Sequence, residues 1–303
     1  MLFRSLVAAA TLFAAPAFAQ DDLSPEGQAI ETAIQAYAAK TNDQRRQVVV
    51  EQLRAAGYRP ELQSFEGGNP RTGALPGANV VVTVGQGDKD IVLTGHFDAV
   101  PLSDGVMSQG VIDNAGSIAL MIEALDMISD QVAQTPSPYR YVFVFTDQEE
   151  LGLIGARKWL EGHDRSRIHT VINLDVNGYG ETLMYGENVG EQSAFVLAAM
   201  RMQCAERAVD CMAFPVYPPS DDRVFSAAGV PVISIGSQDA VGAHQMWLAF
   251  NGGETTGLAE GFVPPVFQRI HSAGDDMRWI DGDDILRNAR FIADLALRLS
   301  RDD

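Results

Sequence analysis

The sequence predicts an α/β fold, a mixed and mostly parallel sheet sandwiched between helices. Short runs rich in Val, Ile and aromatic residues recur along the chain, most of them apolar at every position, as strands buried on both faces are. Helical patterns lie between these runs, and strands alternating with helices give a parallel or mixed sheet covered on both sides. The chain has 303 residues, with no internal repeat, low-complexity tract or Ser/Gly/Pro linker to divide it. Residues 20–303 are therefore expected to form one large domain.

Residues 1–19 read as a cleaved secretory leader. Arg4 supplies a positive start, Leu6 to Ala15 a short apolar core, and Ala17-Phe18-Ala19 a small-residue cleavage site. The apolar stretch is too short to span a bilayer, and Pro16 ends it. Cleavage after Ala19 implies a periplasmic or secreted protein, with no membrane attachment once the leader is gone.

Ser24 as cap and Pro25 at the first helical position open a helix through Ala39, and a second helix runs from Asp43 to Ala56, where Gly57 stops it. Strand-like runs occupy 79–84, 91–94, 141–145, 171–174 and 232–235. Helical patterns occupy 117–130, 156–161 and 191–202. In the last helix Ile285, Ala289, Ile292, Ala296 and Leu299 recur at the helical period and mark one buried face. The segment 237–268, with Met246, Trp247, Phe250 and Phe262, reads as a loop.

The formal charge of −18 disfavours nucleic acid and anionic membranes as partners, because binding phosphate needs a basic surface. Solubility accounts for part of the acidity, and bound cations would neutralise another part. Cys204 and Cys211, the two cysteines, can pair across a short loop in an oxidising compartment or stay as buried thiols; a structural zinc lacks the necessary Cys or His neighbours.

Sheets of this kind bind ligands beyond the carboxyl ends of their strands, and there the acidic and imidazole residues collect. His96 and Asp98 follow the 91–94 run, Glu149 and Glu150 follow 141–145, and Asp175 follows 171–174. Asp113 and His271 complete the set. His, Asp and Glu without Cys suit Zn²⁺, with Mn²⁺ or Co²⁺ as substitutes. Two divalent ions held by Asp113, Glu150, Asp175 and the neutral His96 and His271 leave one net positive charge, which a hydroxide would balance, and neighbouring cations lower the pKa of water towards about 7. Asp98, two residues from His96, can accept the imidazole N–H not used for metal. Glu149 is placed to shuttle a proton. His163 and His169 read as surface residues, and His244 as part of the irregular segment.

Five segments, GHFDAVP, GVIDNAGSIA, FTDQEELGLIGA, NLDVNGYG and IHSAGDD, resemble in order and context the co-catalytic di-zinc aminopeptidases typified by bacterial leucyl aminopeptidase. The likeness spans roughly 91–299, and residues 20–78 carry no motif. It implies the zinc aminopeptidase and phosphorylase-like fold, with Asp113 bridging two Zn²⁺, His96 and Asp175 completing one site, and Glu150 and His271 the other. It also implies Glu149 as general acid/base, Asp98 as the partner of the first histidine, and a cis peptide after Asp113. The reaction implied is hydrolysis of the N-terminal peptide bond of peptides with free N-termini. The run Ser220-Asp221-Asp222 departs from the Ser-Asp-His often found in the family, which leaves the substrate-facing wall open, and Tyr217 could serve there either as an oxyanion donor or as packing.

Other functions on related scaffolds compete with this one. Di-zinc carboxypeptidases and dipeptidases have a longer gap between the first His and the bridging Asp, here 17 residues, and insert a dimerisation domain before the last His, where this chain has 96 residues from Asp175 to His271. Glutaminyl cyclases use similar ligands with one zinc, whereas EELGLIGA looks more like the peptidases. A non-catalytic binding ectodomain has no need of a complete ligand set.

Overall fold

The computed structural model describes residues 23–253 and 256–301; the leader expected at 1–19 lies outside them. The strands are β1 (Glu61–Asn69), β2 (Gly73–Val84), β3 (Lys89–His96), β4 (Tyr139–Thr146), β5 (Ile168–Asn177), β6 (Thr182–Gly186), β7 (Cys211–Phe214) and β8 (Val232–Gln238). Among the described residues they form one sheet in the order β1-β2-β4-β3-β5-β8-β6-β7. The central strands β4, β3, β5 and β8 run parallel, while β1, β2 and β6 join antiparallel to their inner neighbours.

Burial explains why the centre was readable. Ile91, Val92 and Leu93 of β3 and Tyr141, Phe143, Val144 and Phe145 of β4 are all buried, so both faces of these strands are covered. The helices that cover them are α1 (Pro25–Gln35), α2 (Asn42–Ala55), α3 (Gly116–Gln134), α4 (Ile154–Gly162), α5 (Ala194–Arg207), α6 (Asp222–Ala227), α7 (Ala240–Asn251), α8 (Pro265–Arg269) and α9 (Gly282–Leu299). α3 packs on β3, β4 and β5 and against α9, which also meets α1 and α5; α4 and α6 touch each other and lie on β1, β2, β5 and β8. The expected stripe of α9, Ile285 to Leu299, is buried along its length.

Several expectations need correction. The first helix ends at Gln35 and not at Ala39, whose φ of 55° is left-handed and incompatible with continuing the helix. Three strands had no clear signal: β1 is a half-exposed margin of Glu, Gln, Ser and Gly held by its register with β2, and β6 and β7 are short. The 237–268 segment is not simply a loop, for β8 runs on to Gln238, α7 lies within it and α8 begins in it. His244 accordingly sits on α7, exposed. His163 is not a free surface residue: it stacks on Trp159 at 4.3 Å and its Nε2 lies 2.8 Å from Asp90. His169 packs between the rings of Tyr139 and Phe195.

Cys204 and Cys211 are joined in a disulfide that ties α5 to β7. Among the described residues no helix is long and apolar enough to cross a membrane.

Candidate active site

Parallel alignment of β4, β3 and β5 brings their carboxyl ends to one side, and each delivers a motif there. His96 is the last residue of β3, Glu149 and Glu150 follow β4 by a few residues, and Asp175 lies near the end of β5. Asp113 comes from the wide turn Val111–Ala115 that leads into α3, with a cis peptide bond between Asp113 and Asn114. α3 starts close under β5: a Cβ on its first residue, Gly116, would lie 2.1 Å from the carbonyl oxygen of Asn177. His271 follows α8 in a left-handed conformation, φ 56°.

The five expected ligands meet. Asp113 stands between the two imidazoles, its Oδ1 3.0 Å from Nε2 of His96 and its Oδ2 3.1 Å from Nε2 of His271. Each imidazole has a second carboxylate beside it: Asp175 Oδ1 at 3.4 Å from His96, and Glu150 Oε1 at 3.0 Å from His271. Donor atoms of His96, Asp113 and Glu150 all lie within 4.8 Å of one another. Asp175 Oδ1 is buried without a hydrogen-bond partner, an acceptor that a cation would complete. The donor set thus fits a divalent cation, and its N/O chemistry suits Zn²⁺.

Asp98 does more than its expected pairing with the imidazole. Nδ1 of His96 lies 3.2 Å from the Asp98 carbonyl oxygen and 3.4 Å from its carboxylate. Both carboxylate oxygens also accept backbone N–H groups, from Glu149 at 3.0 Å and Glu150 at 3.1 Å. One fully buried side chain therefore places the first histidine and the glutamate pair together.

Electrostatically the site is short of positive charge. No Lys or Arg stands among the described residues that line the cleft, whereas Glu149, Glu150, Asp113 and Asp175 all do. Burial, reinforced by Asp221, Asp175 and Asp98 against the opposing pull of His96, pushes the Glu149 carboxyl up to about 10. Burial and the neighbouring Asp113 bring Glu150 to about 7. Burial would lower His96, but Glu149 and the carboxylates touching it hold the imidazole well above its usual value. Hydrogen bonds to Asp113 and Glu150 raise His271 to about 10.

Three further residues shape the site. Asp275, the first aspartate after the IHSAG run, accepts the N–H groups of Val111 at 3.0 Å, Ile112 at 2.7 Å and Asp113 at 3.3 Å. The doubled Asp of that motif was the available signal. Asp221 is buried, takes a hydrogen bond of 2.6 Å from Thr146 Oγ1 and leaves its Oδ1 without a partner. Tyr217 lines the cleft, while its hydroxyl leaves no room for a side chain at Gly236, where a Cβ would come within 2.6 Å. Met184, Met246, Val266, Phe267 and Ile270 form an apolar wall beside these polar groups.

The profile of peptidase family M28 matches residues 79–296, which takes in all five motifs. The chain belongs to peptidase family M28. Family membership bears out the likeness drawn from the motifs. The alkaline phosphatase isozyme conversion protein of Escherichia coli (strain K12) is 26% identical over 218 residues, covering 61% of this chain and 62% of that relative. The chain thus spans about three fifths of that relative's length, and a match to the vacuolar membrane protease of Yarrowia lipolytica, 34% identical, covers 34% of this chain and only 10% of that protein. Among solved structures, a glutaminyl cyclase from an Acidobacteriales bacterium superposes with a TM-score of 0.68 at 19% identity, covering 96% of this chain and 100% of that one. A zinc aminopeptidase from Bacillus subtilis gives 0.56 at 19% identity, covering 75% of this chain and 50% of that one. These last two likenesses concern the fold, which peptidase and cyclase share.

Proposed function

We propose that this M28 protein is a zinc-dependent aminopeptidase that hydrolyses the N-terminal peptide bond of peptides. The observation that carries the reading is the placement of Asp113, whose two oxygens face different imidazoles, each with a further carboxylate of its own. His96 and Asp175 would hold one zinc, His271 and Glu150 the other, and Asp113 both. Zinc bound there would polarise the scissile carbonyl and lower the pKa of water from about 15.7 towards 7.

The protein's own groups do the rest. Glu149, half-buried in the cleft wall, would ionise once positive charge enters the cleft, and its carboxylate then accepts the proton of the attacking water and returns it to the leaving amine. Asp98 fixes where Glu149 starts by holding its backbone N–H. The carboxylates lining the cleft attract a protonated N-terminus. At about 280 Å³ the cleft lies at the small end of ligand pockets, which favours acting on chain ends over accommodating the middle of a chain.

Glutaminyl cyclisation is the second reading, favoured by the superposition on the bacterial cyclase. A cyclase needs one zinc, so a donor set divisible in two supports the peptidase. A leader cleaved after Ala19 would place the enzyme in the periplasm or outside the cell, and the Cys204–Cys211 disulfide supports an oxidising compartment.

The purified protein is expected to release amino acids from peptides with free N-termini, to lose that activity to a chelator, and to regain it with Zn²⁺ or Co²⁺. Elemental analysis should find two zinc ions per chain. Acetylated peptides cleaved as fast as free ones, or cyclisation of glutaminyl peptides outrunning hydrolysis, would overturn the reading.

A further inference from the structure

Arg45 lies on α2, in the part of the chain without a motif, yet its side chain is wholly buried. Taking a guanidinium out of water is expensive, and an apolar residue would fill the space at less cost. Every hydrogen bond it makes goes to a backbone carbonyl. Nε donates to Phe97, the residue between His96 and Asp98. Nη1 donates to Gln109 at 2.9 Å and to Tyr37 at 3.1 Å, and Nη2 donates to Gly110 at 2.8 Å. The group also lies 5.4 Å from the centre of the Tyr37 ring.

These contacts join two segments that approach the site from different directions. Phe97 lies between His96 at the end of β3 and Asp98, and Gln109 and Gly110 lead directly into the turn carrying Asp113. The same turn is gripped from its other side, where the Asp275 carboxylate accepts the N–H groups of residues 111, 112 and 113. A buried cation thus holds the carbonyls of the turn and a buried anion holds its amides. Gly110 has to be glycine in this arrangement: its φ is left-handed, and a Cβ would lie 2.8 Å from that of Ala99 and 3.0 Å from Nη1 of Arg45.

We infer that Arg45 is a positioning residue for the cation site, fixing the His96 end of β3 against the Asp113 turn so that the two ligands are correctly spaced before any ion arrives. The inference rests on the metal-binding reading above. A lysine at position 45 keeps the charge but cannot present a planar fork to four carbonyls, so Arg45→Lys separates geometry from charge.

The experiment compares zinc affinity, by competition with a chromogenic chelator, and the visible spectrum of the Co²⁺-loaded protein in wild type and Arg45→Lys. Circular dichroism and thermal melting of both apoproteins serve as controls. Zinc binding about 10- to 100-fold weaker, the range for groups that orient metal ligands, with an altered Co²⁺ spectrum in a folded variant, supports the inference. Unchanged affinity and spectrum with only a lowered apoprotein Tm would make Arg45 a packing residue and overturn it. If Arg45→Lys fails to fold, Arg45→Gln, whose planar amide keeps two donors but not the four-carbonyl fork, applies the same test; zinc binding equal to wild type then overturns the inference. Wild-type protein that binds no zinc would sink the metal site itself, a result distinguishable from failure of the inference alone.

Discussion

At the amino end of β3 the carboxylate of Asp90 is fully buried among three basic side chains. Arg140 donates two hydrogen bonds, at 2.7 and 2.9 Å, His163 lies at 2.8 Å and Arg167 at 3.6 Å. Burial would raise its carboxyl, but His163 and Arg140 outweigh that and hold it at about 2. At the other end of the same sheet Glu149 and Glu150 are half-buried and Asp221 is buried, and there their carboxyls stand at about 10, 7 and 7. The residue types are similar and the electrostatic outcome is opposite. One end is neutralised by the protein's own cations, whereas the other is left to a charge that arrives from outside.

The largest effect expected is at the mouth. Glu149→Gln should lower kcat by about 10²- to 10⁴-fold while zinc content by elemental analysis stays unchanged. Zinc lost with the activity would mean that the ligand and proton-carrier roles of Glu149 and Glu150 are interchanged.

Next comes the base of β3. Asp90→Asn breaks a buried ion pair, which typically costs 3–5 kcal/mol; with Arg140 and Arg167 partly exposed, about 2 kcal/mol of lost stability in urea unfolding is the expected size. The same chemical change at the mouth should act in the opposite direction. Burial pushes the Asp221 carboxyl up to about 7 against the hydrogen bond from Thr146. A raised folded value means that ionisation opposes folding, and the penalty is complete above pH 7. Asp221→Asn should therefore stabilise the chelator-treated protein at pH 8, by roughly 1 kcal/mol. A loss of stability there would break the comparison.

The remaining effect is in the acid dependence. Asp90 has a depressed folded value, so its contribution is present above the ordinary carboxyl range near 4 and is lost as pH falls towards 2. The stability difference between wild type and Asp90→Asn should narrow from pH 5 downward, by about 1–2 kcal/mol after screening.

What could be read from the sequence was whatever repeats a local rule. β3 and β4 are apolar on both faces and α9 has its stripe, so each announced itself. The mouth was legible because β3, β4 and β5 each lead into charged or imidazole residues that a buried strand would otherwise exclude. β1 escaped because its Glu, Gln, Ser and Gly are held by pairing with β2, a partner that no local pattern reveals. Arg45 escaped for a related reason: its acceptors are carbonyls, which every residue has, so no spacing betrays them. His163 was misread because the carboxylate it serves stands 73 positions away.

Of the two imidazoles, His96 is sealed in, with 2% of its side chain exposed, whereas 51% of His271 is open to solvent. His271 therefore gives a chelator or a competing ion the more open of the two imidazoles to approach. If two ions bind as proposed, stripping should be biphasic, with an ion held by the exposed His271 exchanging faster than one held by the sealed His96. Stopped-flow removal of Co²⁺ would separate the two rates, and the outer position would be the one that answers first to the surrounding supply of metal.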